Sequence, residues 1–188
     1  MPLRTKPNVD GGLIYASEGE RLRYLASQVT GGCIVELGSY TGVSTCYLAD
    51  GAPDGVDVYA IDLWDESGAD FRRDVYKAPG VYEEFCRRIR DAGHEDRVTA
   101  IRARTIDVAF EWPLRVGLLF IDADHRYEST LADYEAWSPL VVQGGVIAFH
   151  DYPHRRHGPE RVIHEIVIPS GEWGDFQLVD RLWTAVRL

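Results

Sequence analysis

The 188-residue chain predicts an α/β fold: a doubly wound, mostly parallel sheet with helices on both faces, in one domain. Three observations carry this reading. Short apolar runs alternate with stretches of helical periodicity four or more times along the chain. The runs are near-continuous, as in Val116 to Ile121, which suits strands covered on both faces. And Ile34 to Ser44, I-V-E-L-G-S-Y-T-G-V-S, reads as a buried strand that ends near an acidic residue, turns on two glycines and runs into a helix.

Composition bounds what the chain does. At 188 residues and 45% hydrophobic it has the size of one domain with a good core. A net charge of −10 argues against a nucleic-acid partner, because neutralising phosphates takes clustered Lys and Arg in excess. Cys33, Cys46 and Cys86 fall inside expected strands or helices and so read as reduced core residues. With no apolar signal core and no run of membrane-spanning length, the expectation is a soluble, cytoplasmic protein with no membrane partner.

Taken in order, residues 1–12 are polar and end in Gly11-Gly12, a loose arm. Ser17 and Glu20 have capping-box spacing ahead of Leu22, Leu25, Ala26 and Val29, an amphipathic helix stopped by Gly31-Gly32. The motif strand follows, then a helix over Val43 to Ala49 whose free N–H groups point back at the Gly38 to Gly42 loop. Val56 to Ile61 is the second strand and ends at Asp62. An acidic residue there suits a ribose, since one carboxylate accepts from both vicinal hydroxyls. Residues Leu63 to Pro79 form a long connection suited to a lid or substrate wall. Val81, Phe85, Cys86 and Ile89 mark the next helix, Val98 to Ala103 the third strand, and Ile106 to Trp112 a short helix. The fourth strand, Val116 to Ile121, ends in Asp122-Ala123-Asp124-His125 and leads into a helix over Tyr127 to Val142. Gly144-Gly145 is expected to turn the chain into a fifth strand, Val146 to Phe149, that ends in His150-Asp151. A helix over Pro159 to Ile168 and strands at Phe176 to Asp180 and Leu182 to Val186 close the chain.

On these motifs the chain resembles the class I S-adenosylmethionine-dependent methyltransferases, whose first motif is a strand, an acidic residue and a Gly-x-x-x-Gly loop. The wording E-L-G-S-Y-T-G-V-S is most similar to the metal-dependent small-molecule O-methyltransferases of the catechol and caffeoyl-CoA type and to related sugar O-methyltransferases. The resemblance implies a Rossmann-like sheet closed by an antiparallel C-terminal pair. It implies that Gly38 lets the methionine part of the cofactor lie on the backbone, with Gly42 completing the loop. Glu36 would orient that loop or accept from the ammonium group, and Ser39, Tyr40 and Ser44 would contact the amino-acid end. Asp62 would hold the ribose, and Asp122 is counted among the cofactor-binding residues. After the third strand, Arg104 and Thr105 stand where relatives place an acidic residue for adenine, which leaves Asp107 or a backbone group for that contact.

Methyl transfer from a sulfonium is an in-line displacement, so donor and acceptor must be held close and the acceptor oxygen made nucleophilic. A divalent cation can lower the hydroxyl's pKa and a base can take its proton. Asp122 and Asp151, at the ends of adjacent strands, offer hard oxygen ligands for Mg²⁺, and His150 as a third ligand widens the choice to Mn²⁺, Fe²⁺ or Zn²⁺. F-I-D-A-D-H-R-Y-E and G-G-V-I-A-F-H-D-Y resemble the two metal-site strands of that family, and His125 takes the place of its usual basic residue, where a histidine titrating near neutrality suits a general base. The expected acceptor is a hydroxyl of a small molecule or sugar. His154-Arg155-Arg156-His157 offers a basic cluster for an anionic group on it, and the remaining wall is expected from 63–79, the N-terminal arm or a second subunit of a homodimer. Two other readings are open: a nicotinamide-dependent oxidoreductase, disfavoured by the missing third glycine, and a non-catalytic nucleotide-binding scaffold.

Overall fold

The structure, a computed structural model, describes residues 13–64, 80–153 and 158–188. Seven strands, β1 (Cys33–Leu37), β2 (Val58–Asp62), β3 (Val98–Arg102), β4 (Val116–Ile121), β5 (Val141–Phe149), β6 (Trp173–Val179) and β7 (Leu182–Arg187), form one sheet in the order β3-β2-β1-β4-β5-β7-β6. The first five are parallel, and β7 pairs antiparallel with both β5 and β6, as the resemblance implied. Strand order reverses between β1 and β4, so the loops after those strands part and leave a crevice at their C-terminal ends.

Alternating side chains of the central strands feed two cores. Ile34, Leu118, Phe120 and Ala148 pack under α1 (Ala16–Ser27) and α2 (Val43–Gly51). Val35, Leu37, Leu119, Ile121, Ile147 and Phe149 pack on the other face with Tyr134 and Trp137 of α5 (Tyr127–Trp137). That face also carries α4 (Thr105–Phe110) and α6 (Gly158–Val162), which continues as a π-helical turn over Ile163–Val167. A third cluster places α3 (Val81–Asp91) against Cys46 and Trp64.

Several boundaries differ from expectation. The expected Ser17–Glu20 capping box is replaced: Glu18 folds back onto the Tyr15 N–H at 2.7 Å, while Ser17 bonds Asp180 and Glu20 pairs with Arg23. The helix expected to reach Val142 stops at Trp137, because Pro139 cannot continue the hydrogen-bond ladder and the chain tightens into a 3-10 turn. Gly144-Gly145 does not precede β5 but lies inside it, at a register shift in its pairing with β4, so the expected turn is a bulge. The arm 1–12, the loop over 65–79 and the 154–157 basic cluster lie outside the described residues.

Candidate active site

The C-terminal rim of β1, β2 and β4 borders a cavity of about 510 Å³ lined by Gly38, Ser39, Tyr40, Ser44, Asp62, Asp122 and His125 among others. The loop after β1 follows the strand's end so closely that Gly38, at φ +88°, has no room for a side chain. A Cβ there would lie 2.4 Å from the Asp122 carbonyl oxygen. Asp62 folds this loop from below, its Oδ2 accepting from the Ser39 and Tyr40 N–H groups at 2.9 Å each and its Oδ1 from Trp64 N–H at 2.9 Å. Trp64 completes the bracket, donating from Nε1 to Tyr40 O at 2.7 Å and packing on Phe85. Tyr40, Trp64 and Asp151 hold positive φ at the C-terminal ends of the parallel strands, as Asp175 and Asp180 do around β6. Gly42 does not line the cavity. It caps α2 at φ +82°, where a Cβ would come within 2.8 Å of the Phe85 ring.

Glu36 also lies outside the cavity lining. It shares the strand face of Ile34 and is completely buried beneath α2, where the Thr45 hydroxyl donates to its Oε2. Burial pushes its carboxyl up to about 7, against the opposing pull of the Ser44, Thr45 and Ser39 hydroxyls. Its geometry is that of a residue that ties the motif strand to α2 through Thr45.

At the ends of β4 and β5, three carboxylates face three basic side chains. His125 Nε2 lies 2.7 Å from Asp151 Oδ2 and 3.5 Å from Asp122 Oδ1, and Arg181 Nη1 lies 2.7 Å from Asp151 Oδ1. His150 Nδ1 is 3.3 Å from Asp122 Oδ1, and its Nε2 is 3.1 Å from Glu18 Oε2. Burial disfavours charge on every member, yet the pairing wins. His125 is raised to about 9 and His150 to about 10, while Asp122, Asp151 and Glu18 all fall below the usual carboxylate range. The expectation that His125 titrates near neutrality therefore gives way: two carboxylates hold its proton. Asp124 is occupied in starting α5, accepting from Arg126 N–H at 3.0 Å and the Ser129 hydroxyl at 2.9 Å.

Asp122, His125 and Asp151 bring two carboxylate oxygens and an imidazole nitrogen within 4.8 Å of one another, a donor set that fits a divalent ion. His150, expected in that set, lies outside it; its Nδ1 is beside Asp122 and Asp151, and its Nε2 is paired with Glu18. Two members of the cluster escaped the sequence reading. Glu18 is fully buried on α1 and also accepts from Arg181 N–H at 2.8 Å, so it binds the first helix to the β6–β7 turn and to His150. Arg181 sits in that turn, 30 residues beyond Asp151. A glutamate on an amphipathic helix and an arginine in a hairpin turn carry no local signal of such a role.

A family model described as a methyltransferase domain, Methyltransf_24, matches residues 35–152, well over half of the chain. The fold is similar to that of the O-methyltransferase from Bacillus cereus solved in complex with SAH, at a TM-score of 0.71 and 18% identity over 93% of this chain and 82% of that one. It is likewise similar to TomG from Streptomyces achromogenes, an O-methyltransferase involved in tomaymycin synthesis and solved with SAM, at 0.70 and 19% over 93% and 81%. An uncharacterized protein of Acanthamoeba polyphaga mimivirus is 32% identical over 69 residues, which span 35% of this chain and 31% of that protein. With the motif loop and the strand order in place, the chain belongs to the Methyltransf_24 family of methyltransferase domains and has the class I, S-adenosylmethionine-dependent fold.

Proposed function

We propose that the protein transfers a methyl group from S-adenosylmethionine to a hydroxyl of a small molecule or sugar. The observation that carries this reading is one continuous cavity that joins the Gly38 loop and Asp62 to Asp122 and His125. The glycine loop admits the amino-acid end of the cofactor to the backbone. Asp62, beside it, would take the ribose hydroxyls in addition to its loop donors, which would leave His125, on the same cavity, to serve the acceptor.

At that rim, Asp122 and Asp151 hold His125 in place from Nε2, and in its neutral, ion-free form the imidazole is the base that would take the acceptor's proton. Asp122, His125 and Asp151 are the residues that would hold a divalent ion, Mg²⁺ or, given the imidazole, Mn²⁺, Fe²⁺ or Zn²⁺, and such an ion when bound lowers the pKa of the acceptor hydroxyl. Among the described residues no helix is long and apolar enough to cross a membrane. The net charge of −10 favours a small acceptor over nucleic acid.

The test is twofold. Calorimetry should detect S-adenosylhomocysteine binding, and labelled S-adenosylmethionine should pass its methyl to at least one member of a panel of phenols, catechols and sugars. Undetectable binding sinks the cofactor assignment. Binding without transfer to any acceptor across divalent ions favours the scaffold reading instead.

A further inference from the structure

Five acidic residues line the cavity, and four are accounted for. Asp62 serves the loop, Asp122 the histidines, Asp124 the start of α5, and Glu128 is exposed at the helix surface. The fifth, Asp133, is 3% exposed on the buried side of α5. Its one hydrogen bond among the described residues comes from the Thr105 hydroxyl at the start of α4, and Thr105 is itself held by Trp137 Nε1, which donates to its carbonyl oxygen at 3.1 Å. A carboxylate has about four lone-pair sites, so one with a single protein donor keeps acceptor capacity for a group in the cavity that it lines. Burial accordingly pushes its carboxyl up to about 6, and the Thr105 hydroxyl only partly offsets this.

Ala103, Ile106 and Ala132 line the cavity around this pair with small or apolar surface suited to a flat ring. The site lies on the β3 and α4 side of Asp62, away from His125 and Asp151. If the sulfonium of the cofactor stands at the His125 rim and its ribose at Asp62, the heterocycle reaches this end. Asp107, considered from the sequence for an adenine contact, is exposed and does not line the cavity.

We infer that Asp133, oriented by Thr105, is the residue that reads the purine base of the cofactor, accepting a hydrogen bond from the 6-amino group of adenine. This rests on the S-adenosylmethionine reading above and adds a selection rule to it. A 6-oxo purine presents an acceptor to the same carboxylate, so lone pairs oppose each other and the site rejects it. An asparagine at 133 offers an NH₂ group and removes that rejection.

The experiment measures the affinities of S-adenosylhomocysteine and of its deaminated 6-oxo analogue, S-inosylhomocysteine, by calorimetry for the wild-type protein and Asp133→Asn. The wild type should prefer the adenine compound by about tenfold or more. Asp133→Asn, nearly the same shape, should weaken the adenine compound and bring the two affinities within about threefold of each other. Equal affinity for both compounds in the wild type overturns the inference without any variant, so it stays testable even if the substitution impairs folding. A preference kept intact in folded Asp133→Asn overturns it too. Failure of the wild type to bind either compound is a separate result, which defeats the cofactor reading itself.

Discussion

Replacing Glu36 with Gln isolates the energetic cost of the acid buried in the motif strand. The carboxyl has an ordinary value of 4.5 and is raised to about 7 in the folded protein, where it is completely buried. A raised carboxyl means that the folded state holds its proton more tightly than the unfolded chain does. This contribution is therefore most favourable below pH 4.5, where both states are protonated, and it is lost as pH climbs through about 7. At about 1.4 kcal/mol for each pH unit, the gap amounts to about 3 kcal/mol, a large part of the stability of a domain this size. Gln keeps the shape and does not titrate. The stability of Glu36→Gln minus that of the wild type should therefore rise by about 3 kcal/mol between pH 4.5 and pH 8, with other titrating groups cancelling in the difference. Urea unfolding followed by tryptophan fluorescence at half-unit pH steps measures it. A flat difference across that window refutes the reasoning, and a falling one reverses its sign.

Three further outcomes follow from the rim. Asp62→Ala removes the acceptor of the loop N–H groups, and with it the proposed acceptor of the ribose hydroxyls, and should weaken S-adenosylhomocysteine binding by about 1.5 to 3 kcal/mol in calorimetry. Unchanged affinity would take Asp62 out of the site. His125→Ala should lower kcat far more than it raises KM, whereas a rate that ignores the change would leave the histidine a purely structural partner of Asp151. Glu18→Ala strips His150 of the carboxylate at its Nε2 and leaves the Tyr15 and Arg181 N–H groups without their acceptor, so it should cost about 3 kcal/mol in urea unfolding. A loss below about 1 kcal/mol would show that α1 is held by its apolar face alone.

Elements whose ends are set by local chemistry were legible from the chain. β4 runs over Val116–Ile121 as expected, because a six-residue apolar run of strand length with no outward polar face suits a strand covered on both sides. Gly38 and Gly42 were recognisable as loop glycines, and the structure adds what they avoid, the Asp122 carbonyl and the Phe85 ring. The glycines of β5 misled for the opposite reason. A bulge and a turn ask for the same residue, and only pairing with β4 distinguishes them.

Alternation of apolar strand and amphipathic helix is a property of neighbours in the chain, so the residues alone determined a parallel sheet with the C-terminal ends of its strands, and with them Asp62, Asp122 and Asp151, on one edge, while the strand order was settled by tertiary structure. Which atoms those side chains meet was decided by tertiary structure. Glu18 reaches His150 across 132 residues, Arg181 reaches Asp151 across 30, and Thr105 meets Asp133 across 28. Such pairs have no period and no spacing in the sequence. They exist because packing of α1, α4, α5 and the β6–β7 turn excludes water around buried charges, which then have only one another to satisfy them.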